Sequence, residues 1–251
     1  MTQVRSARRI PTAVPIAVGL AWAAVLLSEL TGAASRVHHD HLAHSGLPLW
    51  AATALFLISW QVMVVAMMLP STVPLVRLFS IASANAPRPG RQIAALLGGY
   101  AAVWSAFGVV AFWSDLAFHS FVDHNPWLES RTYLISGSVL LLAGAFQFSR
   151  LKEACLQKCR NPGAYLLPRY RRGAVAAFRL GRGHGLFCLG CCWALMLLMF
   201  SVGLTSLWWM ATLAALMYYE KVGRYGRQAA DVAGVALLAA GGMVLLIPPL
   251  T

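Results

Sequence analysis

The sequence predicts an all-α protein, a polytopic bundle of about seven transmembrane helices with its N-terminus inside. Two observations carry that expectation. The chain is 59% hydrophobic and only 11% charged over 251 residues, and its apolar runs repeatedly approach or exceed the roughly 18 residues that cross a bilayer. Basic residues also gather in alternate connections, as the positive-inside rule requires of a multi-pass protein.

Taken in order, the spans are expected at 12–31, 49–69, 93–114, 131–149, 186–203, 206–219 and 228–248, within a single integral membrane domain covering residues 1–251. The first follows Arg5, Arg8 and Arg9 but carries Glu29 and lacks a clear small-x-small site, so it reads as a span rather than a signal peptide. Pro70 and Pro74 mark the exit of the second. After the third, Asp115, His119 and Asp123 recur every four residues, while Phe112, Trp113, Phe118, Phe121 and Trp127 fit an amphipathic segment in the headgroup region. The fourth is expected to continue as a helix from Arg150 to Arg160 until Asn161-Pro162 stops it. Spans five and six are short and joined by Gly203-Leu204-Thr205-Ser206, which makes a re-entrant hairpin an alternative to two full crossings.

With the N-terminus inside, all but Arg36 and Arg131 of the twenty basic residues face the cytoplasm, nine of them in the 150–184 loop. That distribution accounts for the net charge of +12 through topology and anionic lipid, and argues against nucleic acid as a partner. The lipid bilayer is the expected surrounding, in a bacterial-type inner (plasma) membrane.

The same topology sorts the metal-ligating residue types by side. Six of the seven histidines fall in the outer loops, and all five cysteines lie inside or at the inner boundary. Imidazole suits borderline cations met on an oxidising side; thiolate and thioether suit Cu(I) on a reducing one. An odd number of thiols on the reducing side also argues against structural disulfides.

The strongest signal is Cys188-Leu189-Gly190-Cys191-Cys192-Trp193. At about 100° per residue, Cys188, Cys192, Met196 and Met199 share one helix face, with Cys191 just beside it. Any one of these is an ordinary packing residue; five sulfurs on one helix point to a soft metal. Cys155 and Cys159 stand one turn apart, flanked by Lys152, Lys158 and Arg160, and two plus three thiols make a tri- or tetrathiolate site conceivable. Met63 and Met67 share a face of the inward-running second span and end near the level of those cysteines. On the outer side His38, His39, His41 and His44, with Asp40, fit metal capture and a simple His-rich polar loop (32–48) equally well. Glu220 beside Lys221 is expected to form an interfacial ion pair.

The ordered set Met-Met-Leu-Pro-Ser at 67–71, Ala143-Gly144-Ala145-Phe146-Gln147 leading to Leu151-Lys152 with Cys155 and Cys159-Arg160, Gly190-Cys191-Cys192-Trp193, and Trp209-Met210 followed by Glu220-Lys221 resembles the DUF2182 family of metal-binding integral membrane proteins. The resemblance runs from about 50 to 225. It implies metal association without a defined reaction, and by motif position it singles out Cys155, Cys159, Cys188, Cys191, Cys192, Met67 and Met68.

A metal-handling membrane protein, binding a copper ion for transport or for delivery to a metallochaperone or membrane-complex partner, uses every unusual feature. A structural or assembly subunit is the alternative, with small residues such as Gly98, Gly99, Ala102 and Ala106 as helix contacts. A thiol redox enzyme comes behind both, since no Cys pair faces the oxidising side. Another transition metal, or haem held by His and Met, stays open as the cofactor. No nucleotide-binding or phosphorylation motif occurs, which argues against ATP-driven pumping by this chain alone.

Overall fold

The computed structural model describes residues 12–32, 48–201 and 207–247. In chain order its helices are α1 (Ala13–Leu30), α2 (Leu49–Ala82), α3 (Pro89–Asp123), α4 (Pro126–Glu129), α5 (Thr132–Gln147), α6 (Arg150–Arg160), α7 (Pro162–Leu166), α8 (Ala174–Ser201), α9 (Leu207–Val222) and α10 (Gly226–Leu246). No strand occurs among the described residues. Helices α1, α2, α3, α8 and α10 are long and apolar enough to cross a membrane, and the pair α5 and α6, bent by 61° at their break, adds a sixth crossing if it forms one span. The expected count of seven is therefore met in five helices outright. At 16 residues, α9 is shorter than a full crossing requires. The His-rich segment and the 203–206 turn lie outside the described residues.

Two helices differ from expectation in instructive ways. α2 does not end at its prolines but carries Pro70 and Pro74 in its interior. A proline at position 70 cannot donate to the carbonyl of Ala66, four residues back. That carbonyl instead accepts the indole N–H of Trp22 on α1 at 3.0 Å, so a neighbouring helix satisfies the group that proline leaves open. α8 begins at Ala174 rather than near 186, and the Gly181-to-Gly185 stretch does not break it. Its glycines serve close approach instead. A methyl on Gly181 would run into the Leu96 carbonyl of α3, and one on Gly99 of α3 would meet the Phe178 carbonyl of α8. Backbone thus crosses backbone, and α3 against α8 is the most extensive helix contact. Arg179 and Arg182, which made this segment look like loop, stay exposed on the opposite side.

A second glycine seam joins α5 to α10: an added methyl at Gly144 would meet the Leu238 backbone nitrogen at 2.8 Å, and one at Gly234 the Phe148 ring at 2.6 Å. Aromatic packing fills the space between α2 and α3. Trp60 Nε1 donates to the Trp104 carbonyl at 2.8 Å, and Phe56 stacks on Phe112 at 4.7 Å. Phe112 is therefore core rather than a headgroup residue, while Trp113, Phe118, Phe121 and Trp127 remain exposed. The amphipathic segment expected after the third span is the last turns of α3 itself.

α6 does not continue α5. The chain turns at Phe148 and restarts with Ser149, whose side chain accepts the Lys152 N–H as a cap. This bend is what brings Lys152, Cys155 and Cys159, all buried, back against α8 and α9.

Candidate functional site

Fourteen residues into α8, Cys188 opens a turn in which Cys191 and Cys192 are also fully buried. Both later thiols donate to the Cys188 carbonyl, at 3.0 and 2.9 Å, which turns their side chains back along the helix toward the first. Four elements then contribute to the space around these sulfurs. From α3, the Tyr100 hydroxyl lies 3.1 Å from Cys188 Sγ. From α2, Met68 Sδ lies 3.9 Å from Cys192 Sγ. From α6, Cys159 is buried in the same cluster as Cys188 and Cys191, and Cys155 Sγ fits against Gly190, where a methyl would come within 2.6 Å of it.

The fourth element, α9, supplies a cation. Lys221 Nζ donates to Cys188 Sγ at 3.2 Å and stands 3.6 Å from Met68 Sδ and 3.9 Å from Cys192 Sγ. Lys221 is 4% exposed, so its ammonium is held by sulfur rather than by water. The ion pair expected at Glu220 forms, but it is buried and its partner is not the neighbouring Lys221. Glu220 turns the other way and accepts Lys152 Nζ at 2.7 Å, with both side chains almost fully buried. Arg160 fastens the same end of α9 by donating to the carbonyls of Glu220 and Gly223 at 2.8 and 3.0 Å.

One turn before Cys188, His184 is buried and flanked by the rings of Tyr100 and Tyr165 at 5.9 and 5.7 Å. Its Nδ1 has no hydrogen-bond partner among the described residues. Burial pushes the Tyr165 hydroxyl up to about 12, so it stays protonated and donates to the Leu180 carbonyl at 2.9 Å, tying the 162–166 turn to α8.

All five cysteines and Met68 are thus brought into one neighbourhood, and all five thiols are free. Met67 and Met196 are buried in the same apolar cluster, with Met63 and Met199 packed at its edge. Among the described residues, no three His, Cys, Asp or Glu side chains close to metal-holding spacing; the convergence is of two thiols with a thioether around an ammonium. The outer quartet His38, His39, His41 and His44 lies outside the described residues. On α3, His119 faces Asp115 at 3.5 Å on the surface, remote in sequence and element from the sulfurs.

Tyr100 and His184 were not foreseen as parts of this site, and Lys152 and Lys221 were read only as a cation flanking Cys155 and Cys159 and as the neighbour of Glu220. A signal existed for Lys221 and Glu220: ionisable residues adjoining an apolar helix are functional until shown otherwise, because hydrocarbon makes them expensive to place.

A family model described as PpoB2, copper chaperone, matches residues 57–244. No curated protein and no solved structure matches the chain.

Proposed function

Because the chain belongs to the PpoB2 copper-chaperone family, we propose that it holds Cu(I) inside the membrane on the sulfurs of α8 and passes it to a partner. The observation that carries this reading is the set of three sulfurs, Cys188, Cys192 and Met68, gathered about one buried positive charge. Thiolate and thioether are the ligands that a soft monovalent ion prefers over harder competitors. Cys191, Cys155 and Cys159, buried in the same cluster, take over or complete the coordination as the ion moves. Met63, Met67, Met196 and Met199 extend the sulfur lining of the cluster, and Met side chains adapt to a moving guest. The membrane is the bacterial-type inner membrane, with the basic 150–184 connection on the cytoplasmic side.

In this scheme copper is cargo. His38, His39, His41 and His44 capture it on the outer side through imidazole ligands, and the inner thiols retain it. The recipient is a metallochaperone or a membrane complex, reached by exchange of sulfur ligands. The alternative of a purely structural subunit leaves the buried Lys221 among sulfurs without a use.

The test is anaerobic loading of the purified full-length protein with Cu(I), followed by elemental analysis and X-ray absorption. Wild type is expected to retain copper with sulfur-dominated coordination at about 2.3 Å. Replacing Cys188, Cys191 and Cys192 together by Ser should abolish retention; replacing the four outer histidines by Ala should slow uptake at limiting copper and leave stoichiometry intact. Copper bound mainly through nitrogen and oxygen, with all five thiols freely reactive after loading, would sink the proposal.

A further inference from the structure

We infer that Lys221 sets the charge of the cargo: its ammonium is the built-in counter-cation that makes the sulfur site selective for a monovalent ion. The inference rests on the sulfur site proposed above and adds the feature that discriminates among soft metals.

The geometry isolates one positive charge. Lys152 and Glu220 neutralise each other at 2.7 Å, so the carboxylate adjacent in sequence to Lys221 is already engaged. Lys221 Nζ makes no salt bridge to a carboxylate among the described residues; its neighbours are Cys188 Sγ, Cys192 Sγ and Met68 Sδ at 3.2, 3.9 and 3.6 Å. The thiols that Nζ contacts are Cys188 and Cys192; Cys191 Sγ, like Cys192 Sγ, donates to the Cys188 carbonyl, but makes no hydrogen bond with Nζ among the described residues. Around the ammonium, therefore, stand two groups able to become thiolates and one thioether that stays neutral.

Charge arithmetic follows from that count. A monovalent ion on two thiolates carries a net charge of minus one, and Lys221 cancels it. A divalent ion on the same two thiolates is already neutral, and Lys221 then stands as an uncompensated buried cation. Leaving a charge unpaired in a dry interior is strongly unfavourable, so the loaded site favours the ion that leaves Lys221 balanced. The four-carbon stem of lysine lets the ammonium withdraw by a bond or two as the ion takes the sulfurs, while remaining beside the anion it balances. The net charge of the loaded site is the same whichever thiols carry protons before loading.

Lys221→Leu tests this directly, since Leu removes the charge and adds no sulfur. Full-length protein in lipid nanodiscs would be titrated anaerobically with Cu(I) and separately with Cd(II), each against a chromophoric chelator. Lys221→Leu is expected to lose roughly a hundredfold in Cu(I) affinity and to gain in Cd(II) affinity, reversing the preference of the wild type. Lys221→Arg, which restores the charge, should recover the preference for Cu(I). X-ray absorption should find the same number of sulfurs in wild type and in Lys221→Leu, separating charge from ligand count. If Lys221→Leu does not fold, Lys221→Gln carries the same comparison. A neutral variant that binds Cu(I) as tightly as wild type, or an Arg variant that behaves like the neutral one, overturns the inference while leaving the sulfur site standing. Failure of the wild type to bind Cu(I) on sulfur is a different result, and it removes the copper proposal itself.

Discussion

The α3–α8 crossing and the α5–α10 seam are both built on glycine, yet they enclose different things. At the first, Gly99 and Gly181 let two backbones touch, and the next turns of the same helices present Tyr100, His184 and Cys188 to a dry interior. At the second, Gly137, Gly144, Gly234 and Gly241 do the same for α5 and α10, and the buried residues of α10 are only glycine and alanine. Burial tracks the difference: 56% of the apolar window of α8 is inside the protein, against 17% for α10. Close packing alone therefore does not make a site. A site appears where the close contact is surrounded by further helices that bring soft and charged groups into it.

Substitutions at matched positions would sharpen that contrast, beginning with the largest effect. Gly181→Leu should prevent recovery of folded protein, because even a methyl there would run into the Leu96 carbonyl, a closer backbone clash than the one at Gly144. Gly144→Leu should lower the thermal midpoint yet leave copper stoichiometry unchanged, since the α5–α10 seam holds no sulfur. Copper loss in Gly144→Leu at full folding would erase the distinction between the two regions.

Next in size is the buried ion pair. Lys152→Met or Glu220→Gln alone leaves one charged partner unpaired and should destabilise by about 3–5 kcal/mol, whereas Lys152→Met with Glu220→Leu should recover most of the loss. Chemical denaturation in detergent reads the difference. A double variant no better than the singles would show that the pair has a use beyond mutual neutralisation.

The smallest effect expected is at Tyr165. Tyr165→Phe removes one buried hydrogen bond, to the Leu180 carbonyl, and should cost about 1 kcal/mol with copper affinity unaltered. A comparable loss in copper binding would place the 162–166 turn within the site rather than beneath it.

Much of this arrangement is legible in the sequence, and the exceptions share a cause. The spacing of Cys188, Cys191 and Cys192 and the nearness of Cys155 and Cys159 follow from helical periodicity plus one correct pairing of segments. What periodicity does not carry is the partner across space. Pro70 reads as a stop because the indole of Trp22, far away in sequence, is what lets the helix run on. The first turns of α8 read as loop because Arg179 and Arg182 outweigh glycines whose purpose is visible only against α3. Lys221 pairs with sulfur instead of Glu220 because Lys152, returned by the bend after α5, reaches the carboxylate first. Each miss is a long-range contact overruling a local preference. The resemblance to DUF2182 drew attention to Met67 and Met68 together, and of the two it is Met68 that meets Cys192 and Lys221.

The ion pair between α6 and α9 also bears on biogenesis. Residues 152 and 220 are separated by 68 positions, so the ribosome delivers Lys152 to the membrane well before its partner exists. α6 carries the Arg150, Lys152, Lys158 and Arg160 cations on eleven residues, a segment that an insertion channel leaves at the water boundary. Until α9 has been made, Lys152 lacks the carboxylate that it meets in the folded protein. The same helix supplies Lys221, so the surroundings of the sulfurs cannot be complete before residue 221 has been synthesised.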